Sequence, residues 1–179
     1  ATDRGLYLHY RSIADAVSIP VIIYNVPSRT GVDIPVSVYR ALGEIPNIAG
    51  VKEASTDIEK VLRTIALCGD ALPVWAGNDA MTVPVMALGG KGVISVASNV
   101  FPREFAAMTA SAQSGDFTDA AKLQRSLVDV VELMFCEVNP IPVKAAMNML
   151  GFDCGNCRLP LTPMLPENQE KLKALLSAQ

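Results

Sequence analysis

The chain holds one histidine, His9, among 179 residues, and no run of lysine or arginine. Fifteen basic against eighteen acidic side chains leave a net charge of −3, with an isoelectric point near 5.1. Nucleic acid and anionic membrane surfaces are therefore not expected partners. No apolar stretch reaches the ~18 residues of a membrane span, because Pro, Gly or a charged side chain interrupts each one. Ala1-Thr2-Asp3-Arg4 lacks the basic-then-apolar order of a secretion signal, so a cytoplasmic location is expected. No Gly-x-Gly-x-x-Gly follows any candidate strand, which weakens a dinucleotide-binding reading. Apolar residues, by contrast, are plentiful: half the chain is hydrophobic, only 18% is charged, and the mean hydropathy is +0.31. That balance argues against disorder and suits an α/β protein whose strands are buried on both faces.

Cysteine is sparse too. Of Cys68, Cys136, Cys154 and Cys157, the last pair forms Cys-Gly-Asn-Cys, the spacing of half a zinc site or of a redox pair. A structural zinc site needs two further ligands, but Cys68 and Cys136 lie far off in helical patterns and His9 is more remote still. A turn with two ordinary thiols is the plainer reading.

Helix and short apolar strand alternate along the first hundred residues. Gly5 to Val17 places Leu6, Tyr7, Tyr10, Ile13, Ala14 and Val17 on one helical face. Val21-Ile22-Ile23-Tyr24 is a β-branched run stopped by Asn25-Val26-Pro27-Ser28. A short helix is predicted from Pro35 to Leu42, then a strand from Ile48 to Lys52. Thr56-Asp57-Ile58-Glu59 reads as a capping box for a helix ending at Cys68. A third strand spans Leu72 to Ala76, a helix Ala80 to Leu88, and a fourth strand Gly92 to Val96. Beyond it, Phe101–Ser114, Phe117–Glu137, Pro142–Leu150 and Glu167–Ala178 read as helices.

Four strands, each followed by a helix, imply a parallel sheet, either doubly wound or part of a closed barrel. The opening helix has no strand before it, which favours four βα units of a (β/α)8 barrel, here its second half. Two regions are expected: 1–100, the half barrel, and 101–179, the last barrel helix and a C-terminal helical region.

Reactive groups in such sheets gather at the C-terminal ends of the strands. Lys52 leaves a buried strand there, and desolvation would lower its pKa as an imine-forming amine requires. The competing reading is a lysine that reaches water or pairs with Glu53. Tyr24 ends the preceding strand and could move protons beside Lys52, or could be an ordinary core tyrosine. Arg29, in the loop after Tyr24, has the planar fork that grips a carboxylate, though loop arginines are commonly solvated. Gly89-Gly90-Lys91-Gly92 could cradle a phosphate, but it precedes a strand rather than following one, so a turn is the simpler reading.

Tyr24-Asn25-Val26-Pro27-Ser28-Arg29-Thr30-Gly31 followed by Val51-Lys52-Glu53-Ala54-Ser55 resembles the dihydrodipicolinate synthase family. Gly89 to Val96, Asn139 to Lys144 and Arg158 to Leu161 resemble further segments of it, in the same order. The resemblance implies a (β/α)8 fold and a Schiff-base condensation of pyruvate with L-aspartate 4-semialdehyde, giving 4-hydroxy-tetrahydrodipicolinate on the diaminopimelate route to lysine. It implies Lys52 as nucleophile, Tyr24 as proton donor and acceptor, and Arg29 as carboxylate holder. The Ile94 backbone would line the pyruvate site, with Gly77 nearby. Neither cofactor nor metal is implied, and the usual assembly is a homo-oligomer, a tetramer. Relatives that also use the lysine and tyrosine, such as N-acetylneuraminate lyase, are an alternative. A non-catalytic half-barrel that serves as an interaction module is another. The family's remaining catalytic parts, a threonine pair and a second tyrosine, would lie upstream, so impaired activity is expected of this chain alone.

Overall fold

The computed structural model describes residues 1–177. Helix α1 (Asp3–Ala16) opens on Thr2, whose hydroxyl accepts the Gly5 N–H at 3.2 Å. Strand β1 (Val21–Asn25) then runs one residue further than its apolar pattern, through Asn25. Pro27 starts a single helical turn, α2 (Pro27–Thr30), closed by Gly31 at φ 66°, a left-handed conformation that glycine adopts without a Cβ penalty. Helix α3 (Val36–Leu42) is capped by Pro35 rather than begun by it. Strand β2 (Ile48–Glu53) carries Lys52 and Glu53, and α4 (Ile58–Cys68) follows. The cap of α4 is Asp57, which accepts the Lys60 N–H at 3.0 Å, not Thr56 as the capping-box pattern suggested. An Asp at this place also sets its charge against the positive end of the helix dipole.

Strands β3 (Val74–Ala76) and β4 (Gly92–Val93) are shorter than their apolar runs, with α5 (Thr82–Ala87) between them. The four strands form one parallel sheet in the order β1-β2-β3-β4. Its register aligns Tyr24 with Lys52, Lys52 with Trp75 and Trp75 with Gly92, a single row across the sheet.

The two faces of this sheet differ. Ile23, Val51, Val74 and Ala76 are buried beneath the helices, in clusters shared with Ala14, Val38, Leu42, Val61 and Val85. On the other face Ile22 and Tyr24 are 44% and 43% exposed, and Lys52 and Trp75 are half-buried. Burial on both faces, expected from the apolar runs, is therefore not what this chain shows. Inward-pointing side chains of a barrel interdigitate with those of an opposing wall, and four strands supply one wall only.

The stretch expected as one helix, Phe117 to Glu137, is two: α7 (Phe117–Ser126) and α8 (Val128–Met134). The chain bends at Leu127, which is buried at 4% exposure in the same core as Ala120 and Val130. Just before the bend, the Gln124 side chain accepts the Val83 N–H at 2.8 Å, fixing α7 to α5. Helix α6 (Pro102–Gln113) precedes this pair; α9 (Ile141–Met149) and α10 (Pro166–Ser177) follow it. The expected end of the last helix at Ala178 lies outside the described residues. Phe101, Phe105, Met108, Met134, Ile141, Met164 and Leu172 form the core beneath these helices, which also takes in Val83 and Met86 of α5.

Candidate active site

A cleft of about 430 Å3 opens at the C-terminal end of the strands. Tyr24 and Lys52 form its floor, Arg29 of α2 and Gly77 after β3 its sides, and Val131, Glu132 and Phe135 of α8 and the following loop face them. The Lys52 ammonium nitrogen sits 4.2 Å from the centroid of the Tyr24 ring, a cation–π distance. Strand alternation explains the pairing: both residues occupy the same row and point to the open face, while their neighbours Asn25 and Glu53 point back among the helices.

Desolvation pushes the Lys52 pKa below the ordinary lysine value. The Asp79 carboxylate works against this, and the Arg29 guanidinium adds to the lowering. Gly77 gives the lysine stem its room: a Cβ there would lie 3.0 Å from the Lys52 Cγ and 2.8 Å from the Ala54 Cβ. Arg29 is exposed, and its Nη2 donates to the Asn139 carbonyl at 3.2 Å, tying α2 to the loop before α9.

Four of the five residues singled out in the sequence thus share one cleft: Lys52, Tyr24, Arg29 and Gly77. Ile94 is not among the residues lining it. Its N–H donates to the Ala76 carbonyl at 2.9 Å, extending the β3–β4 ladder, and its side chain is 37% exposed. Two residues later, Val96 does line the cleft, held by its N–H to Asp79 Oδ2 at 3.1 Å.

Glu53 does not pair with Lys52. It is 3% exposed on the opposite side of β2 and accepts bonds from Asn25 Nδ2 (2.8 and 3.1 Å), the Tyr39 hydroxyl (2.9 Å) and the Ser55 N–H (2.9 Å). Lys60 Nζ lies 3.6 Å from it and also pairs with Asp33. Burial, reinforced by the Glu53 charge, drives the Tyr39 phenol far above its usual pKa. Burial opposes the Asp33 charge, but hydrogen bonds from Lys60 and Asn25 outweigh it and hold that carboxyl below its usual range. Nothing local in the sequence announces this network, and the helix expected over Phe117–Glu137 carries no local sign that 131–135 wall the cleft.

All four cysteines are free thiols; Cys154 and Cys157, three positions apart, are each half-buried in an irregular segment. Among the described residues, no three His, Cys, Asp or Glu side chains cluster as a metal site would require, and no helix is long and apolar enough to cross a membrane.

A desolvated strand-end amine against a phenol, at the C-terminal edge of a parallel sheet, defines a candidate imine-forming site on an α/β frame. The family model described as "Dihydrodipicolinate synthetase family" matches residues 1–179, and the chain belongs to that family. It is 46% identical over 175 residues to the 4-hydroxy-tetrahydrodipicolinate synthase of Acetivibrio thermocellus, covering 98% of this chain and 59% of that relative. The crystal structure of dihydrodipicolinate synthase from Aquifex aeolicus is similar at a TM-score of 0.95 and 44% identity, over 99% of this chain and 61% of that one. The chloride-inhibited synthase from Acinetobacter baumannii complexed with pyruvate is similar at a TM-score of 0.94 and 40% identity, over 99% of this chain and 61% of that one. The chain thus spans about 60% of the length of these relatives.

Proposed function

We propose that the chain carries the imine-forming part of a 4-hydroxy-tetrahydrodipicolinate synthase site, within four of the eight βα units of a barrel, read from motif order as the second four. The observation that carries this reading is the Lys52 amine, desolvated and 4.2 Å from the Tyr24 ring in a cleft shared with Arg29. A neutral amine has the lone pair needed to attack a ketone, and lowering its pKa raises the neutral fraction near pH 7.

In this reading Lys52 Nζ adds to the C2 carbonyl of pyruvate, and loss of water gives a protonated imine. That cation withdraws electrons from C3; loss of a C3 proton gives the enamine. The enamine carbon bonds to the aldehyde carbon of L-aspartate 4-semialdehyde, whose oxygen takes a proton. The amino group then closes the ring at C2 and expels Lys52. The Tyr24 phenol, whose ring lies beside the Lys52 amine, suits these proton transfers, and the Arg29 guanidinium suits a substrate carboxylate at the cleft mouth. The pyruvate complex of the similar A. baumannii synthase supports pyruvate as the first substrate. Reduced activity of the isolated chain is part of the proposal, because a constellation acting as a unit fails when members are missing.

A single-turnover incubation with pyruvate and L-aspartate 4-semialdehyde, read by mass spectrometry, tests the substrate assignment. Slow formation of 4-hydroxy-tetrahydrodipicolinate is expected, with no aldol product when N-acetylmannosamine replaces the semialdehyde. Product from N-acetylmannosamine alone would assign the chain to the sugar-acid lyases instead.

A further inference from the structure

Behind the Tyr24–Lys52 pair, on the helix side of the sheet, lies a buried polar cluster that the proposed chemistry does not use. Asn25 follows Tyr24, Glu53 follows Lys52, and the sheet register sets Asn25 directly opposite Glu53. The strands end here. The last backbone bonds of the ladder are Ala54 N–H to the Asn25 carbonyl (2.9 Å) and Gly77 N–H to the Glu53 carbonyl (2.6 Å). Past them only side chains hold the strand ends together.

Asn25 is the hub of that hold. At 1% exposure, its amide donates to both Glu53 oxygens and to Asp33 Oδ1 (2.8 Å), while its side-chain carbonyl accepts the Ile34 N–H at 3.2 Å. Asp33 and Ile34 end the segment that returns from α2, the turn bearing Arg29. One buried amide therefore joins three pieces of chain: the end of the phenol strand, the end of the amine strand, and the return of the arginine loop. Glu53 is held in turn by Tyr39 and the Ser55 N–H, with Lys60 close by, so its charge is compensated away from Lys52.

We propose that Asn25 is a positioning residue: through Glu53 and the Asp33–Ile34 backbone it fixes the Tyr24 phenol, the Lys52 amine and the Arg29 loop relative to one another. It touches no substrate. It acts on the two side chains next to its own bonds, since a shift at residue 25 or 53 is passed directly to residue 24 or 52. With the clamp intact, Lys52 stays over the Tyr24 ring, in reach of the opposing influences of Arg29 and Asp79 and facing Glu132 of α8. With the clamp removed, the strand ends part and the lysine gains solvent. The role rests on Lys52 being the imine-forming amine, but its geometric part can be measured without any substrate.

The test is competitive acetylation of the full chain with acetic anhydride across pH, each lysine read by peptide mass mapping, for the unmodified chain and for Asn25→Ala. Lys52 in the unmodified chain is expected to label with an apparent pKa below the ordinary lysine value. In Asn25→Ala that value moves back up toward the ordinary one, while thermal unfolding stays cooperative. Borohydride trapping with pyruvate is expected to slow roughly tenfold or more, the scale of a misplaced reacting group. A purely structural role for Asn25 would lower the melting temperature and leave the Lys52 titration of the folded protein unmoved. Should Asn25→Ala fail to fold, Tyr39→Phe removes one hydrogen bond from Glu53 and should move the titration the same way by less. Superimposable Lys52 curves in the unmodified chain and the folded variants would overturn the proposal. Because labelling needs no pyruvate, a chain that labels as expected yet never traps pyruvate would sink the functional reading alone.

Discussion

Adding one methyl group at Gly77 should separate the stability of the fold from the placement of its amine. In Gly77→Ala the new Cβ would stand 2.8 Å from Ala54 Cβ, 3.0 Å from Ala54 Cα and 3.0 Å from Lys52 Cγ. Carbon atoms rest at about 3.5–4.0 Å, so each contact is short by roughly half an ångström or more. The backbone on either side cannot easily yield, since the Gly77 N–H is held by Glu53 and the Ala54 N–H by Asn25. The Lys52 stem is the one flexible partner and gives way, while the two contacts to Ala54 stay as strain. Overpacking of this kind costs about 1–3 kcal/mol, which for a chain of this length corresponds to a fall of roughly 2–12 °C in melting temperature. Displacing the amine by about 1 Å from the phenol should slow pyruvate trapping by up to ~100-fold. The assay is borohydride reduction in the presence of pyruvate, with the Lys52 adduct followed by mass against time at a temperature where both proteins are folded. If the folded variant traps pyruvate at the unmodified rate, the lysine is not where this reasoning needs it.

Other perturbations have clear signs. Replacing Arg29 with Met removes a cation that lowers the Lys52 pKa, so the pH midpoint of pyruvate trapping should move upward; a downward move would contradict the assigned field. Asp33 has a lower pKa folded than unfolded, so the stability it contributes is present above the ordinary carboxylate pKa and is lost as pH falls through the folded value. Melting curves taken through that acidic window should show Asp33→Asn flattening the pH dependence, and parallel curves would refute it. Asp57→Ala should cost about 1 kcal/mol by removing the cap of α4, read from denaturant midpoints at constant m-value.

What could be read in the chain beforehand was what is local. The β-branched run at Val21–Ile23 and the run ending at Lys52 announce strands because their periodicity is written within a few residues. Lys52 and Tyr24 could be placed at strand ends on the same reasoning. Boundaries set by a single hydrogen bond were less legible: Thr56 and Asp57 both suit a cap, and only the Asp57 side chain reaches the Lys60 N–H. The bend at Leu127 could not be seen because its cause is tertiary, a leucine drawn into a core with α5 and α6. Contacts across long separations were invisible for the same reason. Arg29 and Asn139 are 110 residues apart, and Glu53 turns away from its neighbour Lys52 because Asn25, Tyr39 and Lys60 wait on the other side of the strand.

Reduction of the chain with borohydride in the presence of pyruvate, followed by peptide mapping, tests the role of Lys52 most directly. The expected result is one stable adduct of pyruvate mass, on the peptide containing Lys52 and on no other lysine peptide, and absent in Lys52→Ala. An adduct spread over exposed lysines, or none at all in a chain shown to be folded, would contradict it.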